Sequence, residues 1–112
     1  MVVKYIPDRG DIVWLDFNPQ KGHEQAGSRP AIILSPKNYN QSSQLMLACP
    51  ITSKVKNYPF EVRIKTRKIN GVILSDQIKN LDWKAKDISF VERVTGEILE
   101  QTQDFIEALL RG

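Results

Sequence analysis

Residues 11–17 read DIVWLDF, and this stretch is apolar on both faces that a β-strand would present. Because successive side chains of a strand point to opposite faces, Ile12 and Trp14 would share one face. The apolar residues between and after them would share the other. Strands with two apolar faces are buried on both sides. The stretch therefore predicts a buried strand of a small β-barrel.

Other short runs, broken by Pro, Gly and Asn, predict that most of the first 90 residues are β. In one run Phe60, Val62 and Ile64 alternate with charged residues, so we expect these three to face the core. Asn70 and Gly71 form a dipeptide typical of hairpin turns, and we expect a turn there. The remaining expected strands are 31–34, 45–51, 72–74 and 87–91, with an extra helical turn at 38–41.

The end of the chain changes to a helical period. One helical face would carry Ile98, Thr102, Phe105, Ile106, Leu109 and Leu110. Thr95 is a suitable N-cap, and Glu97 suits the positive end of a helix. The sequence therefore predicts a mainly β fold, a barrel of five to seven short strands closed by a C-terminal helix, with residues 1–112 forming one domain.

Composition narrows the class of protein. The chain has 112 residues, 41% hydrophobic, and a net charge of +3. One cysteine and one histidine exclude a disulfide framework and most zinc sites. No apolar run approaches the roughly 18 residues of a membrane span, and the first residues lack the apolar stretch of a signal peptide. We expect a soluble cytoplasmic domain, and a dimer, because so small a domain buries its core poorly alone.

The charges are unevenly distributed. Residues 1–86 carry 14 basic and 7 acidic side chains, whereas residues 87–112 carry 2 basic and 6 acidic ones. The densest basic stretch, 54–86, has nine Lys or Arg against three acids. This asymmetry favours a polyanion on one surface. A solvated, lysine-rich surface is the alternative.

Motifs for most kinds of catalysis are missing from the sequence. It has neither a phosphate-binding G-x-x-x-x-G-K motif nor a dinucleotide fingerprint, and its carboxylates are not spaced as a metal site. An enzyme of this sequence would work without metal or cofactor. RNA suits such a chain because its 2′-hydroxyl is its own nucleophile. Cleavage then needs a base, a group that stabilises charge on the phosphorane, and a donor for the leaving oxygen.

Two polar segments supply such groups. The long loop at 18–29 contains His23, Glu24 and Arg29, and the end of the third strand supplies Thr52 and Ser53. Long loops on small barrels are often functional. These side chains would meet at one barrel mouth if the two strands are neighbours.

The same segments carry a family resemblance. GHEQAGSRP at 22–30, preceded by DFNP at 16–19, resembles the signature loop of the MazF/PemK family of toxin endoribonucleases. PITS at 50–53, SDQ at 75–77 and DW at 82–83 are similar to later blocks of that family. The resemblance extends over essentially the whole chain and is closest to the MazF branch.

The resemblance implies an SH3-like barrel with a C-terminal helix that works as a homodimer. It implies metal-independent cleavage of single-stranded RNA, usually mRNA, at short sequence motifs, with 2′,3′-cyclic phosphate and 5′-hydroxyl ends. A MazE-like antitoxin would block the RNA site with an acidic segment, and operator DNA would be bound only by the toxin–antitoxin complex.

Several residues match the family's active site. Arg29 matches the catalytic arginine and Thr52 the active-site threonine. In the same loop, Glu24 either accepts the 2′ proton as a catalytic residue or only orders the loop by pairing with Arg29. His23 either shuttles protons, as the histidine at this position of the PemK branch suggests, or is a solvated loop residue. Asp76 matches the base of that branch and could instead contact an RNA base or hold the sheet together.

One departure concerns Asp76. The PemK branch has a basic residue two positions before this aspartate, where the chain has Leu74. The departure favours a mechanism centred on Arg29 and Thr52. The further auxiliary or RNA-binding candidates are Gln25, Ser28, Ser53, Lys54, Lys56, Gln77 and Lys79.

Aromatic residues and the cysteine have simpler expectations. Tyr58, Phe60 and Trp83 are candidate platforms for base stacking, although the alternation around Phe60 favours the core. Trp14 is expected in the core or a dimer interface, and Cys49 is expected to be buried.

Two other functions remain open from the sequence. The chain could be a non-catalytic, CcdB-like toxin that binds DNA gyrase, although the intact 24–30 loop argues against this. It could also be a plain SH3-like module that binds a peptide or a nucleic acid.

Overall fold

Seven strands and two helices make up the part of the chain described by the computed structural model, residues 4–17 and 27–112. The strands are β1 (Asp11–Asp16), β2 (Ser28–Ile33), β3 (Leu45–Thr52), β4 (Glu61–Lys65), β5 (Asn70–Leu74), β6 (Lys79–Asp82) and β7 (Ser89–Arg93). The helices are α1 (Lys37–Ser43) and α2 (Gly96–Arg111).

The strands form one antiparallel sheet in the order β4-β5-β3-β2-β1-β7. Strand β3 has three partners: it pairs with β2 near its middle, with β6 through Leu45–Ala48, and with β5 through Ile51 and Thr52. Thr66 follows β4 directly, and its Oγ1 donates to Oε2 of Glu92 in β7 at 2.6 Å. The first and last strands of this order are therefore close to each other. The sheet is thus curled, and the mainly β fold with a terminal helix is confirmed.

Both faces of β1 are packed, as the sequence predicts. Ile12 belongs to an apolar cluster that spans β1–β5, whereas Val13 and Leu15 belong to a second cluster with residues of β2 and β3. Trp14 is the exception, since 46% of its side chain is exposed. Its placement in the core is wrong for the single chain because it lines a groove, described below.

Helix α2 covers the first cluster with Ile98, Leu99, Phe105 and Ile106. Thr95 is the N-cap, and its side chain accepts a hydrogen bond from the Ile98 amide. The predicted helix is confirmed, but its last apolar residues do not reach the core: Leu109 and Leu110 are 45% and 81% exposed.

The expected turn at Asn70 and Gly71 is wrong. Both residues lie within β5, where they pair with Lys65 and Ile64, and the turn lies at 66–69. Gly71 has a different role. A Cβ atom at this position would lie 2.2 Å from the backbone oxygen of Thr52, so the approach of β5 to β3 requires glycine.

The region around Trp83 also departs from expectation. Trp83 is buried, and its Nε1 donates to the carbonyl of Asn40 at 2.9 Å, so its proposed role as a stacking platform is wrong. Asn40 lies in α1, which confirms the helical turn expected at 38–41. Strand β6 is not predicted by the sequence, because its KNLD residues have little apolar character. Cys49 is buried as expected, and this burial, with the charge of Asp76, raises its pKa to about 12.

We predict that Gly71→Ala destabilises the protein by at least about 1 kcal/mol, since the added methyl group meets backbone rather than a movable side chain. Urea unfolding measures the effect. Gly96→Ala is the matched control: a methyl group added at Gly96 would have no neighbour within 4 Å among the described residues, and alanine favours helix, so stability should be unchanged or slightly higher. Equal stability of the two variants would contradict the account of Gly71.

Candidate active site

A groove of about 770 Å³ lies where the ends of β2 and β3 meet the segment 53–60. Eight of the residues predicted for the site line it together: Ser28, Arg29, Thr52, Ser53, Lys54, Lys56, Asp76 and Gln77. They come from separate segments of the chain. The curl of the sheet is what brings these segments to one place.

Arg29 and Thr52 are brought together by the register of β2 and β3. The antiparallel ladder pairs Ile33 with Ala48 and ends with Ala31 opposite Pro50. Continued by two residues, this register places Arg29 across from Thr52. On its other side Arg29 pairs with Leu15 of β1. The backbone of Arg29 is therefore held by pairing within the sheet and does not belong to a loop.

Thr52 is buried and is fixed from two directions. Gly71 packs against its backbone oxygen, and its Oγ1 accepts a hydrogen bond from the Lys54 amide at 3.2 Å. Because the hydroxyl acts as acceptor in this bond, its own proton remains available for donation.

The basic segment 53–60 is held in shape by Glu61. The carboxylate of Glu61 accepts hydrogen bonds from the amides of Lys56 at 3.3 Å and of Asn57 at 2.9 Å. The Glu61 amide in turn donates to the carbonyl of Tyr58 at 3.1 Å. Asn57 adopts a left-handed conformation with φ of 60°, which asparagine tolerates better than most residues. The carboxylate therefore orders the backbone that carries the lysines.

Three aromatic side chains line the groove: Trp14, Tyr58 and Phe60. Tyr58 is 61% exposed and has the ammonium group of Lys56 at 5.8 Å from its ring centroid. Phe60 is half-buried and packs edge-to-face on Phe105, so it serves both the core and the groove. Cationic and aromatic surfaces are therefore adjacent, as in sites that bind single-stranded nucleic acid.

The charge of the groove is positive on balance. Among the described residues that line it, the cationic side chains are Arg29, Lys54, Lys56 and Lys68, and the carboxylates are Glu61 and Asp76. The cations therefore outnumber the carboxylates by two among the described residues that line the groove.

Asp76 and Gln77 lie just after β5, on the side of the groove opposite β2. Asp76 is exposed, and the Gln77 amide donates to the carbonyl of Leu74 at 3.0 Å, which closes this turn. Lys79 lies elsewhere. It pairs with Ala48 on β6, is half-buried and is not among the residues that line the groove.

Three predicted site residues, His23, Glu24 and Gln25, fall within 18–26, outside the described residues. The ends of that loop are described: the Phe17 amide donates to the carbonyl of Gly27 at 3.0 Å. Phe17 and Gly27 are therefore held next to each other, and Gly27 precedes Arg29 by two residues in the chain.

Sequence reasoning missed several residues of the groove, among them Trp14, Lys68 and Asn70. Trp14 sits in an apolar strand, and it is the structure that shows it to be exposed and paired with Pro30, beside Arg29. Asn70 has the sequence signal of a turn. Knowledge of the pairing partners would have identified both, whereas composition and periodicity carry no signal for them.

Within residues 4–17 and 27–112, no three His, Cys, Asp or Glu side chains are grouped as a metal site requires. In the same part of the chain, neither helix has the length and apolarity that crossing a membrane demands.

Comparisons with known proteins place these features in a family. A family model described as PemK-like, MazF-like toxin of type II toxin-antitoxin system matches residues 8–110. The endoribonuclease toxin MazF of Escherichia coli K12 is 43% identical over 110 residues, which cover 98% of this chain and 99% of that protein. The endoribonuclease toxin ChpB of the same organism is 33% identical, over 99% of this chain and 95% of its own.

Solved structures agree. The crystal structure of MazF from Deinococcus radiodurans has a TM-score of 0.92 at 42% identity, covering 97% of this chain and 100% of that one. A MazE–MazF complex from the same organism matches with a TM-score of 0.86 at 42% identity, covering 96% of this chain and 98% of that one. These matches confirm the resemblance drawn from the sequence and favour it over the CcdB-like alternative. The chain therefore belongs to the PemK-like, MazF-like family of toxins of type II toxin–antitoxin systems.

Proposed function

We propose that this toxin is an endoribonuclease that cleaves single-stranded RNA, usually mRNA, by attack of a ribose 2′-hydroxyl on the adjacent phosphorus. The observation that carries the proposal is the placement of Arg29 and Thr52 on one cationic, aromatic-lined groove. The names of the E. coli relatives as endoribonucleases support the same activity.

Arg29 stabilises the charge that develops on the phosphorane. Its guanidinium remains protonated at all working pH values and can fork onto two phosphate oxygens. Its position in the β1–β2 ladder lets it act without being reorganised at the moment of reaction. Arg29 also donates a hydrogen bond to the leaving 5′ oxygen, and the proton that completes the 5′-hydroxyl comes from solvent water.

The Thr52 hydroxyl donates a hydrogen bond to a phosphate oxygen. The bond that its Oγ1 accepts from Lys54 sets the orientation of the hydroxyl and brings the first lysine of the basic segment to the same phosphate region. Lys54 and Lys56 then follow the RNA backbone through charge, at the cost of strong salt dependence.

The 2′ proton goes to a general base, for which the chain offers Asp76, Glu24 and His23. Asp76 is exposed on the groove, and the other two belong to the loop whose ends flank Arg29. As the O2′–P bond forms and the P–O5′ bond breaks, the products carry a 2′,3′-cyclic phosphate and a 5′-hydroxyl. None of these steps uses a metal or a cofactor.

The toxin acts in the cytoplasm as a homodimer. A MazE-like antitoxin binds it and inhibits it. Support for an assembly comes from apolar side chains that the single chain leaves exposed, namely Trp14, Phe90, Leu109 and Leu110. The MazE–MazF complexes of D. radiodurans support the antitoxin. An acidic antitoxin segment complements the cationic groove, and operator DNA is bound only by the toxin–antitoxin complex.

Arg29→Ala should lower the rate of RNA cleavage by about 100- to 1,000-fold, the usual effect of removing a group that stabilises transition-state charge. Cleavage of a long single-stranded RNA, followed by gel electrophoresis, measures it. Arg67→Ala is the control, because Arg67 is exposed in the 66–69 turn and does not line the groove. An Arg29→Ala protein that cuts at the normal rate would show this assignment to be wrong.

Thr52→Val removes the hydroxyl at nearly constant size, and we expect it to slow cleavage by about 10- to 100-fold, as for a lost hydrogen bond to a charged group. Thr52→Ser keeps the hydroxyl and should stay within a few-fold of the parent. Because Thr52 is buried, the methyl group gained in Thr52→Val and the methyl group lost in Thr52→Ser can each change stability. Urea unfolding of both variants is therefore measured in parallel. If valine and serine cut alike, the hydroxyl has no role in the reaction.

A cleavable oligonucleotide with one 2′-deoxy residue immediately 5′ of the cut should be completely resistant, since its nucleophile is gone. The same substitution immediately 3′ of the cut is the control and should leave cleavage intact. Mass spectrometry of the products identifies the 2′,3′-cyclic phosphate. Cleavage of the first oligonucleotide at the normal position would indicate attack by water.

A further inference from the structure

The orientation of the Asn70 amide is set by Arg63. The guanidinium of Arg63 donates to Asn70 Oδ1 at 2.8 Å and, through its other terminal nitrogen, to the Gly71 carbonyl at 2.7 Å. Because arginine has only donors, the Asn70 atom that faces it must be the oxygen. The amide is therefore held with Nδ2, which carries two protons, as its remaining polar end.

Asn70 is exposed and lines the groove that holds Arg29 and Thr52. In the part of the chain that the structure describes, no protein acceptor takes a hydrogen bond from its Nδ2. Its neighbour Gly71 is the residue packed against the backbone of Thr52. A donor whose orientation is favoured by Arg63 thus lies next to Gly71, the residue packed against the backbone of Thr52.

We propose that Asn70 is a specificity-determining residue that donates a hydrogen bond to a keto oxygen, O6 of guanine or O4 of uracil, of a base near the scissile phosphate. The proposal rests on the proposed function, since it requires RNA in the groove. It assigns to β5 a part in reading the sequence that is cut, separate from the chemistry at Arg29 and Thr52.

The keto bases are favoured because of what Arg63 occupies. An asparagine reads adenine with both ends of its amide, the oxygen accepting from N6 and the nitrogen donating to N7. Here the oxygen is directed at Arg63, which uses one of its two lone pairs, so the paired contact to adenine is disfavoured and Nδ2 is the end left for a ligand. At the exocyclic position the keto oxygen of guanine or uracil accepts a hydrogen bond from Nδ2, whereas the amino group of adenine or cytosine is itself a donor and cannot accept one.

The experiment maps the cut sites of the full-length protein on a pool of RNA with random sequence, by sequencing the 5′ ends of the fragments. The parent should prefer G or U at one position of its motif. Asn70→Asp offers acceptors in place of the donor, and the ratio of keto to amino bases at that position should fall by about tenfold. Asn70→Ala, which adds no charge, should flatten the preference at the same position.

Arg63→Ala frees the amide to rotate and should weaken the preference at that position without reversing it. Lys65→Ala is the matched control: Lys65 is the cross-strand partner of Asn70, but it does not line the groove, so its motif should be that of the parent. Thermal unfolding of each variant separates a change of motif from a loss of folded protein.

The outcomes distinguish this inference from the proposed function. If the parent yields no fragments, the proposed function fails. If the parent cuts but prefers A or C throughout its motif, or if Asn70→Ala cuts with an unchanged motif, the role of Asn70 is overturned while the activity stands. If Asn70→Asp loses all cleavage through its added charge, Asn70→Ala alone decides in the same way.

Discussion

The shared pairing of β3 is the constraint on which the structure depends. A single strand of eight residues contacts β2, β5 and β6, and it can do so only because the sheet bends around it. Gly71 permits the tightest of these contacts, where β5 approaches the backbone of Thr52. The same bend that closes the apolar core over Ile12 and Cys49 turns the end of β3 towards the start of β2. The contacts that build the core therefore also build the groove.

Much of this architecture could be predicted from the sequence. The two apolar faces of residues 11–17 indicated burial on both sides, and the change of period after residue 90 indicated the helix together with its Thr95 cap. Such patterns reflect burial, which is a property of each residue's own surroundings. The family resemblance predicts Arg29 and Thr52 as site residues, and in the structure both line one groove.

What could not be predicted depends on contacts between distant segments. Asn70 and Gly71 have the sequence of a turn, yet they extend a strand, because the glycine is required by a neighbour 19 residues earlier rather than by a local backbone conformation. Trp83 looked like a binding residue, but a carbonyl of α1 gives its indole nitrogen a buried partner. The polar strand β6 forms because β3 supplies its hydrogen bonds, and Leu81, its one apolar side chain, packs against the second cluster.

The backbone of the basic segment after β3 is held by hydrogen bonds from its own amides. The Glu61 carboxylate accepts from the amides of Lys56 and Asn57, and Thr52 Oγ1 accepts from the amide of Lys54. The ammonium groups themselves contribute nothing to those contacts. The backbone conformation of this segment therefore does not depend on the charge of its lysines. These lysines can be exchanged for other residues during evolution without a change in the backbone. Under the proposed function, exchanging these surface lysines changes the affinity for RNA while the backbone beneath them stays the same.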